Sequence, residues 1–294
     1  MIPDRVNKGN YEIGTGREAA MESNRKFLIS LQDGLQVEAV WYGSGTLCLS
    51  SQAGCAMACP FCASGRHGLR RNLTCEELFL QLDTCRRAGI EPQRLTISGI
   101  GEPLQNLANV SRFITACGQQ RLPVSLTTTG MPLTGIAELL RLPHNGVMFS
   151  LHAGRAATYQ RLLPKGPGLA PLRECLAQCW PHLSGRQRRR LGVNYLLLAG
   201  VNDQPAELEA LCGWLYPFPE LTLHLLFCNP VPGSSFYSPA PDQADHIHTL
   251  LRQRGIHVRR ANRWRQQLEG GCGTLLLGSS LENDKPAHHH QHQA

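Results

Sequence analysis

The feature of the sequence that most limits its fold is an alternation of short apolar runs with amphipathic stretches, from about residue 40 to residue 260. The apolar runs have the length of buried strands, and the stretches between them have the spacing of helices that bury one face. One helix has clear ends, because Thr74 and Glu77 form the pattern of a capping box and Gly89 follows as a stop signal. Parallel strands require crossover connections, so six such units in series predict an α/β fold with a parallel sheet.

Six units are too few to close the eight-fold barrel that this alternation can form. The pattern leaves two architectures open, an open partial barrel and a doubly wound sheet. Both place the functional site at the carboxyl ends of the strands. A glycine and several polar residues stand out from the apolar runs at those positions, namely Gly101, Glu102, Thr127, Thr128, Thr129, His152 and Asn229.

The ends of the chain differ in composition from its middle. Residues 1–37 are polar and are predicted to form a short N-terminal appendage. Residues 38–278 contain the alternating pattern and form the predicted core. Residues 279–294 are polar, end in HHHQHQA and are predicted to be a disordered tail, because such segments bury too little apolar surface to fold.

The charge and the cysteine content narrow the function. Lysine and arginine number 29 against 22 aspartates and glutamates, a formal net charge of +7, and nearly all of the cations are arginine. The guanidinium group suits phosphate, so this excess favours an anionic partner such as nucleic acid. The 12 cysteines occur without the apolar run of a secretory signal or a membrane span. We therefore expect a cytoplasmic protein without membrane contact, whose cysteines bind metal or take part in catalysis.

Three cysteines, Cys55, Cys59 and Cys62, form the pattern C-x-x-x-C-x-x-C directly after the first strand. Their thiolates can hold one metal centre. A structural zinc ion normally takes four protein ligands, and no fourth lies nearby at finger spacing. A four-iron cluster also has four irons to ligate, so three cysteines leave one iron open for a substrate or cofactor. The residues alone also allow an alternative interpretation, in which the three cysteines are unpaired and buried and hold no metal centre.

The spacing, together with Phe61 before the last cysteine, resembles the signature of the radical-SAM superfamily. The chain further resembles the RlmN/Cfr family of radical-SAM RNA methyltransferases over about residues 36–278. This resemblance implies a radical-SAM partial (β/α)6 barrel with short N-terminal and C-terminal extensions. It is carried by six blocks that occur in order: TLCLSSQAGCAMACPFCASGRHGLRRNLT (46–74), SGIGEPLQN (98–106), SLTTTG (125–130), FSLHA (149–153), NPVPGS (229–234) and GCG (271–273).

The resemblance implies two cofactors. Cys55, Cys59 and Cys62 would ligate a [4Fe–4S] cluster, whose open iron binds S-adenosylmethionine. Glu102 would hold the methionyl amino group, and Thr127 stands where the family has a serine. The full set of cofactor-binding residues that it implies is Gly101, Glu102, Thr127, Ser150, Leu151, His152 and Asn229.

The resemblance also implies the reaction. Cys272 would carry a methyl group from S-adenosylmethionine to an adenine ring carbon in ribosomal or transfer RNA. Cys48 would release the product by forming a transient disulfide with Cys272, and Glu38 would accept a proton. The implied partners are the RNA and a reducing electron donor such as flavodoxin. The sequence indicates no oligomeric state.

Two departures from the family concern the substrate. Only 37 residues precede Glu38, which is too few for the family's N-terminal accessory domain. The stretch 264–274 lacks the family's acidic pair and has Thr274 where the family has glutamine. Two alternatives therefore stay open: a radical-SAM enzyme with another reaction and a non-RNA substrate, and a non-catalytic iron–sulfur or zinc protein that binds RNA.

Arginine-rich runs are candidates for phosphate contact. The run at residues 259–267, close before Cys272, is predicted to contact RNA. The run at residues 186–190 fits RNA contact and a solvated surface equally well. Arg66, Arg70 and Arg71 follow the three-cysteine motif and are candidates for the same role.

Overall fold

The computed structural model describes residues 23–261, 263–266, 273–276 and 278–279. A ten-stranded sheet dominates this part of the chain, and a separate two-stranded sheet is formed by β4 and β5. The strands are β1 (Arg25–Ser30), β2 (Leu35–Tyr42), β3 (Thr46–Leu49), β4 (Gln52–Gly54), β5 (Leu69–Asn72), β6 (Arg94–Ile97), β7 (Val124–Thr128), β8 (Gly146–Ser150), β9 (Leu191–Leu197), β10 (Thr222–Phe227), β11 (His257–Arg260) and β12 (Gly278–Ser279).

Helices connect the parallel strands at the predicted places. None of them, in the described part of the chain, is long and apolar enough to cross a membrane. The helices are α1 (Cys75–Arg87), α2 (Leu107–Gln119), α3 (Ile136–Leu139), α4 (Ala156–Leu162), α5 (Leu169–Cys179), α6 (Gly185–Arg188), α7 (Pro205–Leu215) and α8 (Pro241–Gln253).

Seven parallel strands form the centre of the large sheet, in the order β3-β6-β7-β8-β9-β10-β11. This spatial order follows the chain order. A doubly wound sheet reverses its strand order at a switch point, so that alternative is excluded. The predicted partial barrel of six strand–helix units, completed by a seventh strand, is confirmed.

The sheet extends beyond the parallel strands on the side of β3, which corrects the predicted boundary at residue 37/38. β1 pairs antiparallel with β2, and β2 pairs antiparallel with β3. Phe27 and Ile29 on β1 are buried in the main hydrophobic core, whereas Leu28 between them is 56% exposed. One face of β1 is thus covered, so residues 25–37 belong to the same sheet as the core. Of the predicted tail, only Ser279 lies within the described residues.

The parallel strands alternate between apolar and polar side chains. On β6, Leu95 and Ile97 are buried in the core under the helices, and Thr96 lines the interior of the barrel. On β7 the same interior is lined by Ser125 and Thr127. Eight-fold barrels fill this space with bulky branched side chains. Here small polar side chains leave the interior of the barrel, its lumen, open.

The predicted capping box at the start of α1 is confirmed. The Thr74 hydroxyl accepts from the Glu77 amide at 3.2 Å, and the Glu77 carboxylate accepts from the Thr74 amide at 2.9 Å. Arg71 donates to the same carboxylate at 2.7 and 2.8 Å and to Asp33 at 2.6 Å. These hydrogen bonds raise the pKa of Arg71 and lower that of Asp33. Arg71 therefore ties β5 to α1 and to the β1–β2 turn, and this corrects its proposed contact with phosphate.

Candidate active site

The three-cysteine motif forms a loop, residues 55–62, between β4 and β5; we call it the cysteine loop. The Cys55 amide donates to the Gly68 carbonyl at 3.1 Å, and the Cys62 amide donates to the Cys59 carbonyl at 3.0 Å. Gly54 has φ +78°, and a Cβ at this position would lie 2.0 Å from the Gly68 oxygen. Only glycine allows the two backbones to approach this closely. The small β4–β5 sheet thus closes the base of the cysteine loop.

The thiols of the cysteine loop suit a multi-iron cluster better than a single ion. Within the described residues, no group of three or more His, Cys, Asp or Glu side chains could hold one metal ion. A four-iron cluster binds each thiolate through a different iron and therefore accepts more widely spaced ligands. Burial raises the pKa of Cys55 to about 11, and burial together with the neighbouring thiols raises that of Cys59. Iron at this position would stabilise the thiolates that the surroundings disfavour.

A cavity lies beside the cysteine loop at the carboxyl ends of the strands, and we call it the cluster cavity. Cys62 and Gly273 form part of its wall. Four of the residues predicted to bind the cofactor line it as well: Thr127, Ser150, His152 and Asn229. Residues that are up to about a hundred positions apart in the sequence therefore converge at one cavity.

Gly101, Glu102 and Leu151 do not line the cluster cavity. The Leu151 side chain is fully buried in the hydrophobic core, so only its backbone is available to a ligand. Gly101 has φ +109°, and a Cβ there would lie 2.7 Å from the Gln52 side chain. Their assignment to the cofactor stays a prediction.

Glu102 is 2% exposed and has a complete set of internal partners. One carboxylate oxygen accepts from the Leu104 amide at 3.1 Å and from the Thr128 hydroxyl. The other accepts from the amide and the hydroxyl of Thr129, both at 2.7 Å. Burial raises the pKa of Glu102, and these hydrogen bonds oppose the rise. The carboxylate ties the turn after β6 to the end of β7, and an incoming ammonium group has to displace one of these donors.

His152 is held as a neutral hydrogen-bond donor at the wall of the cluster cavity. Its Nδ1 accepts from the Leu196 amide at 3.0 Å, so the proton of the neutral ring is on Nε2. Its backbone has φ +55° and its carbonyl accepts from Asn202 at 2.8 Å. Phe61 of the cysteine loop stacks edge-on against the ring at 5.3 Å. Burial lowers the pKa of His152 to about 4, which keeps the ring uncharged at neutral pH.

The loop after β8, which carries His152, is anchored on α7. The buried carboxylate of Glu207 accepts from the amides of Gly154 and Arg155 at 2.8 and 3.1 Å, and from the Thr158 hydroxyl. These donors lie at the start of α4, where the helix dipole favours a negative charge. Glu207 therefore positions the end of this loop.

Replacing Gly154 with alanine is expected to destabilise the fold. A Cβ on Gly154 would lie 2.0 Å from the Glu207 carbonyl oxygen and 2.6 Å from the Leu211 amide nitrogen, both in the backbone of α7. Overpacking of this kind lowers the free energy of unfolding by about 1–3 kcal/mol. Urea denaturation measures the change.

Gly213→Ala is the matched control for Gly154→Ala. Gly213 lies on an exposed face of α7, and a Cβ there meets no atom within 4 Å. Alanine is the better helix former by about 1 kcal/mol, so this variant is expected to raise the free energy of unfolding. Equal stability of the two variants would contradict the packing of Gly154 against α7.

Glu38 contacts the segment that follows Cys272 in the sequence. One of its carboxylate oxygens accepts from the Leu276 amide at 2.8 Å, and the other lies 3.4 Å from the Lys26 ammonium. The same segment is bound to the residues just after the cysteine loop. Gly273 accepts from the Ala63 amide at 2.7 Å, and Leu275 accepts from the Ser64 hydroxyl at 2.8 Å. Cys272 itself lies outside the described residues.

Cys48 and Glu38 share one face of the sheet. Cys48 pairs with Val40 of β2, and Glu38 lies two residues before Val40 on the same strand. Alternate residues of a strand and directly paired residues point to the same side. Cys48 is 2% exposed, and its sulfur lies 3.3 Å from the hydroxyl of Ser98, which lines the cluster cavity.

The sequence interpretation missed three residues that line the cluster cavity: Ser98, Asn194 and Cys228. Asn194 is the polar residue in the middle of the apolar strand β9, and it contacts the Thr127 hydroxyl at 3.5 Å. Ser98 and Asn194 follow the same alternation of polar side chains that lines the lumen. This alternation is visible in the sequence and could have identified both residues. Cys228 directly precedes Asn229 in the sequence, and only the structure reveals its contact with the cavity.

The barrel and the cysteine loop define a radical SAM protein. The family model described as the Radical SAM superfamily matches residues 49–209. Membership of this superfamily implies a [4Fe–4S] cluster and S-adenosylmethionine. A solved structure, "Crystal Structure of a radical SAM methyltransferase from Sphaerobacter thermophilus", shares 29% sequence identity and a TM-score of 0.72, covering 86% of this chain and 77% of that one.

Curated relatives identify the family of this chain within the radical SAM superfamily. A "Probable dual-specificity RNA methyltransferase RlmN" from Synechococcus sp. is 34% identical over 90% of this chain and 78% of its own length. Proteins of the same name from Desulforudis audaxviator and Synechocystis sp. are 34% and 35% identical, over 86% and 77% of their lengths. The chain belongs to the RlmN family of the radical SAM superfamily.

Proposed function

We propose that this chain is a radical-SAM methyltransferase that transfers a methyl group, through Cys272, to an adenine ring carbon in ribosomal or transfer RNA. One observation carries the proposal. The segment directly after Cys272 is hydrogen-bonded at Gly273 to Ala63, next to the cysteine loop, and at Leu276 to Glu38. The segment that follows the proposed methyl carrier thereby contacts both the edge of the cluster site and the proposed proton acceptor.

The bound cluster and S-adenosylmethionine supply the methyl group and a radical that abstracts hydrogen. The chain's own residues do the remaining work. The Cys272 thiolate accepts the methyl group and carries it to the RNA. Glu38, held by Lys26 and the Leu276 amide, accepts a proton. His152 donates a hydrogen bond from Nε2 at the cavity wall, and Cys62 is one of the ligands of the cluster.

Release of the product needs a second thiol, and Cys48 fits this role in the proposal. Attack by the Cys48 thiolate on the Cys272 sulfur forms an S–S bond and breaks the S–C bond to the modified base, and the carbon then takes up a proton. A reductant has to return the disulfide to two thiols. The same proposal includes a reducing electron donor such as flavodoxin. It places the protein in the cytoplasm, where thiols are normally kept reduced.

An anaerobic transfer assay tests the proposed function. The protein is reconstituted with iron and sulfide, then given a reductant, S-adenosylmethionine with a labelled methyl group, and total RNA from a strain that lacks the gene. Digestion and mass spectrometry are expected to show the label on an adenine ring carbon. Cleavage of S-adenosylmethionine without labelled RNA would favour a radical-SAM enzyme with another substrate. Bound zinc, or iron without cleavage, would favour a non-catalytic metal protein.

Replacing Cys48 with alanine is expected to trap the RNA on the protein. Methylation of Cys272 and addition to the base do not require Cys48, but release of the S–C bond does. Denaturing gel electrophoresis is expected to show a protein–RNA adduct that nuclease digestion removes. The matched control is Cys85→Ala, which removes a thiol that is equally buried but lies in the core on α1. Free RNA product from the Cys48 variant at the wild-type rate would contradict the role of Cys48.

A further inference from the structure

A second cavity, of about 540 Å³, occupies the lumen at the other end of the barrel from the cysteine loop. Its wall includes Thr46, Arg94, Gly146 and Thr222, each of which is the first residue of a parallel strand. It therefore lies at the amino-terminal ends of the strands, and we call it the lumen cavity. Its volume is within the range of small-molecule sites and suits one nucleotide rather than a double helix.

The wall of the lumen cavity is rich in hydrogen-bonding groups. Thr96, Ser125, Thr127 and Asn194 line it from neighbouring strands. These hydroxyl and amide groups donate and accept, as the edges of a base or a ribose require.

Three arginines, Arg94, Arg189 and Arg259, stand at the open end of the lumen cavity, and we call them the rim arginines. All three are exposed, and none takes part in an ion pair within the part of the chain that the structure describes. Two neighbouring arginines, in contrast, have partners within the protein. Arg190 donates to the His144 carbonyl at 3.1 Å, and Arg260 pairs with Asp245. The guanidinium groups of the rim arginines are thus available to an external anion.

The lumen cavity adjoins the cluster cavity. Thr127, Asn194, Leu226 and Arg265 line both of them. A ligand that enters between the rim arginines therefore approaches the cavity whose wall includes Cys62 and Gly273.

We propose that the target nucleotide enters the barrel at its amino-terminal end, unpaired and extruded from its strand, while the rim arginines bind the phosphates on either side of it. This inference rests on the proposed function and specifies how that site takes its substrate. Enzymes that modify a base carbon take the base out of its stack. Phosphate contacts hold the strand in position without reading its sequence. The RNA substrate is therefore a loop or another single-stranded segment.

The rim arginines are placed better for RNA than for an acidic electron donor. An electron donor has to approach the cluster, and the cysteine loop follows the carboxyl end of β3. Arg94, the first residue of β6, and Arg189, just before β9, stand at the opposite end of the strands. They also surround a polar hollow of nucleotide size, whereas a protein partner would need a broad surface.

Fluorescence anisotropy tests the proposal with the full-length, reconstituted protein and a labelled single-stranded RNA of mixed sequence. The double variant Arg189→Gln/Arg259→Gln is expected to bind about tenfold more weakly for each arginine lost. Each phosphate contact on a single strand contributes about 0.7 to the slope of log affinity against log salt concentration. Loss of two contacts is therefore expected to reduce the magnitude of this slope by about 1.4. The same RNA as a duplex is expected to bind wild type less tightly than the single strand.

The matched control is Arg112→Gln/Arg254→Gln, which removes the same charge from exposed arginines that pair with glutamates. It is expected to keep the wild-type salt slope. The rim variant is expected to raise the KM for RNA and to leave cleavage of S-adenosylmethionine without RNA unchanged.

Three results would overturn the proposal: wild-type binding by the rim variant, equal binding of duplex and single strand, or a loss confined to donor-driven cleavage. Absence of RNA binding by the wild-type protein would instead contradict the proposed function itself.

Discussion

Replacing Cys272 with alanine is expected to reduce RNA methylation by at least about 10⁴-fold, because loss of a covalent catalytic group removes the only route to the product. The [4Fe–4S] absorbance and the binding of S-adenosylmethionine are expected to remain, since the predicted ligands of both lie elsewhere. The transfer assay with labelled S-adenosylmethionine measures the loss, and the absorbance spectrum of the reconstituted variant checks the cluster.

The control for Cys272→Ala is Cys228→Ala. Cys228 lines the cluster cavity, and its thiol contacts the carbonyls of Asn229 and Phe236 at 3.6 Å. This variant removes a thiol from the same cavity and is expected to keep methylation within a few-fold of wild type, since its contacts are weak hydrogen bonds. If Cys272→Ala methylates RNA as well as Cys228→Ala does, the carrier role of Cys272 is wrong.

Replacing Cys59 with alanine is expected to lower the iron content and to reduce cleavage of S-adenosylmethionine by more than about 100-fold. Loss of a residue that merely supports a metal ligand already costs about 10- to 100-fold, so loss of a ligand costs more. Iron analysis and the absorbance spectrum follow the cluster, and detection of 5′-deoxyadenosine follows the cleavage.

Cys175→Ala is the matched control for Cys59→Ala. Both thiols are half-buried, but Cys175 lies on α5 and contacts the Leu133 carbonyl at 3.7 Å. The control is expected to retain iron and cleavage activity. A Cys59 variant with full iron content and wild-type cleavage would show that the cluster is held by other residues.

Local patterns in the sequence were sufficient to predict most of the secondary structure. α1 begins after Thr74 because the capping box with Glu77 is a contact between residues three positions apart. The strand β1 was missed because its burial depends on pairing with β2. The antiparallel extension of the sheet therefore became visible only with the fold.

The candidate site also has features that the sequence indicated and features that only the structure revealed. The spacing of Cys55, Cys59 and Cys62 indicated a metal loop, and the cluster cavity beside Cys62 agrees with that prediction. The role of Glu102 was implied by the resemblance to the family. In the structure its carboxylate is saturated by Thr128, Thr129 and Leu104, and no pattern in the sequence indicates which donors a buried carboxylate will meet.

The sequence by itself determined the strand–helix alternation, the cysteine motif and the family blocks, because each is a matter of residue type and short-range spacing. Only the tertiary structure decided that the segment after Cys272 lies against Glu38, 238 residues away from its partner Leu276. It also decided that polar side chains from several strands face one open lumen, with exposed arginines at its rim. Both depend on how the sheet curves and on which strands become neighbours, and these properties belong to the whole chain rather than to any local segment.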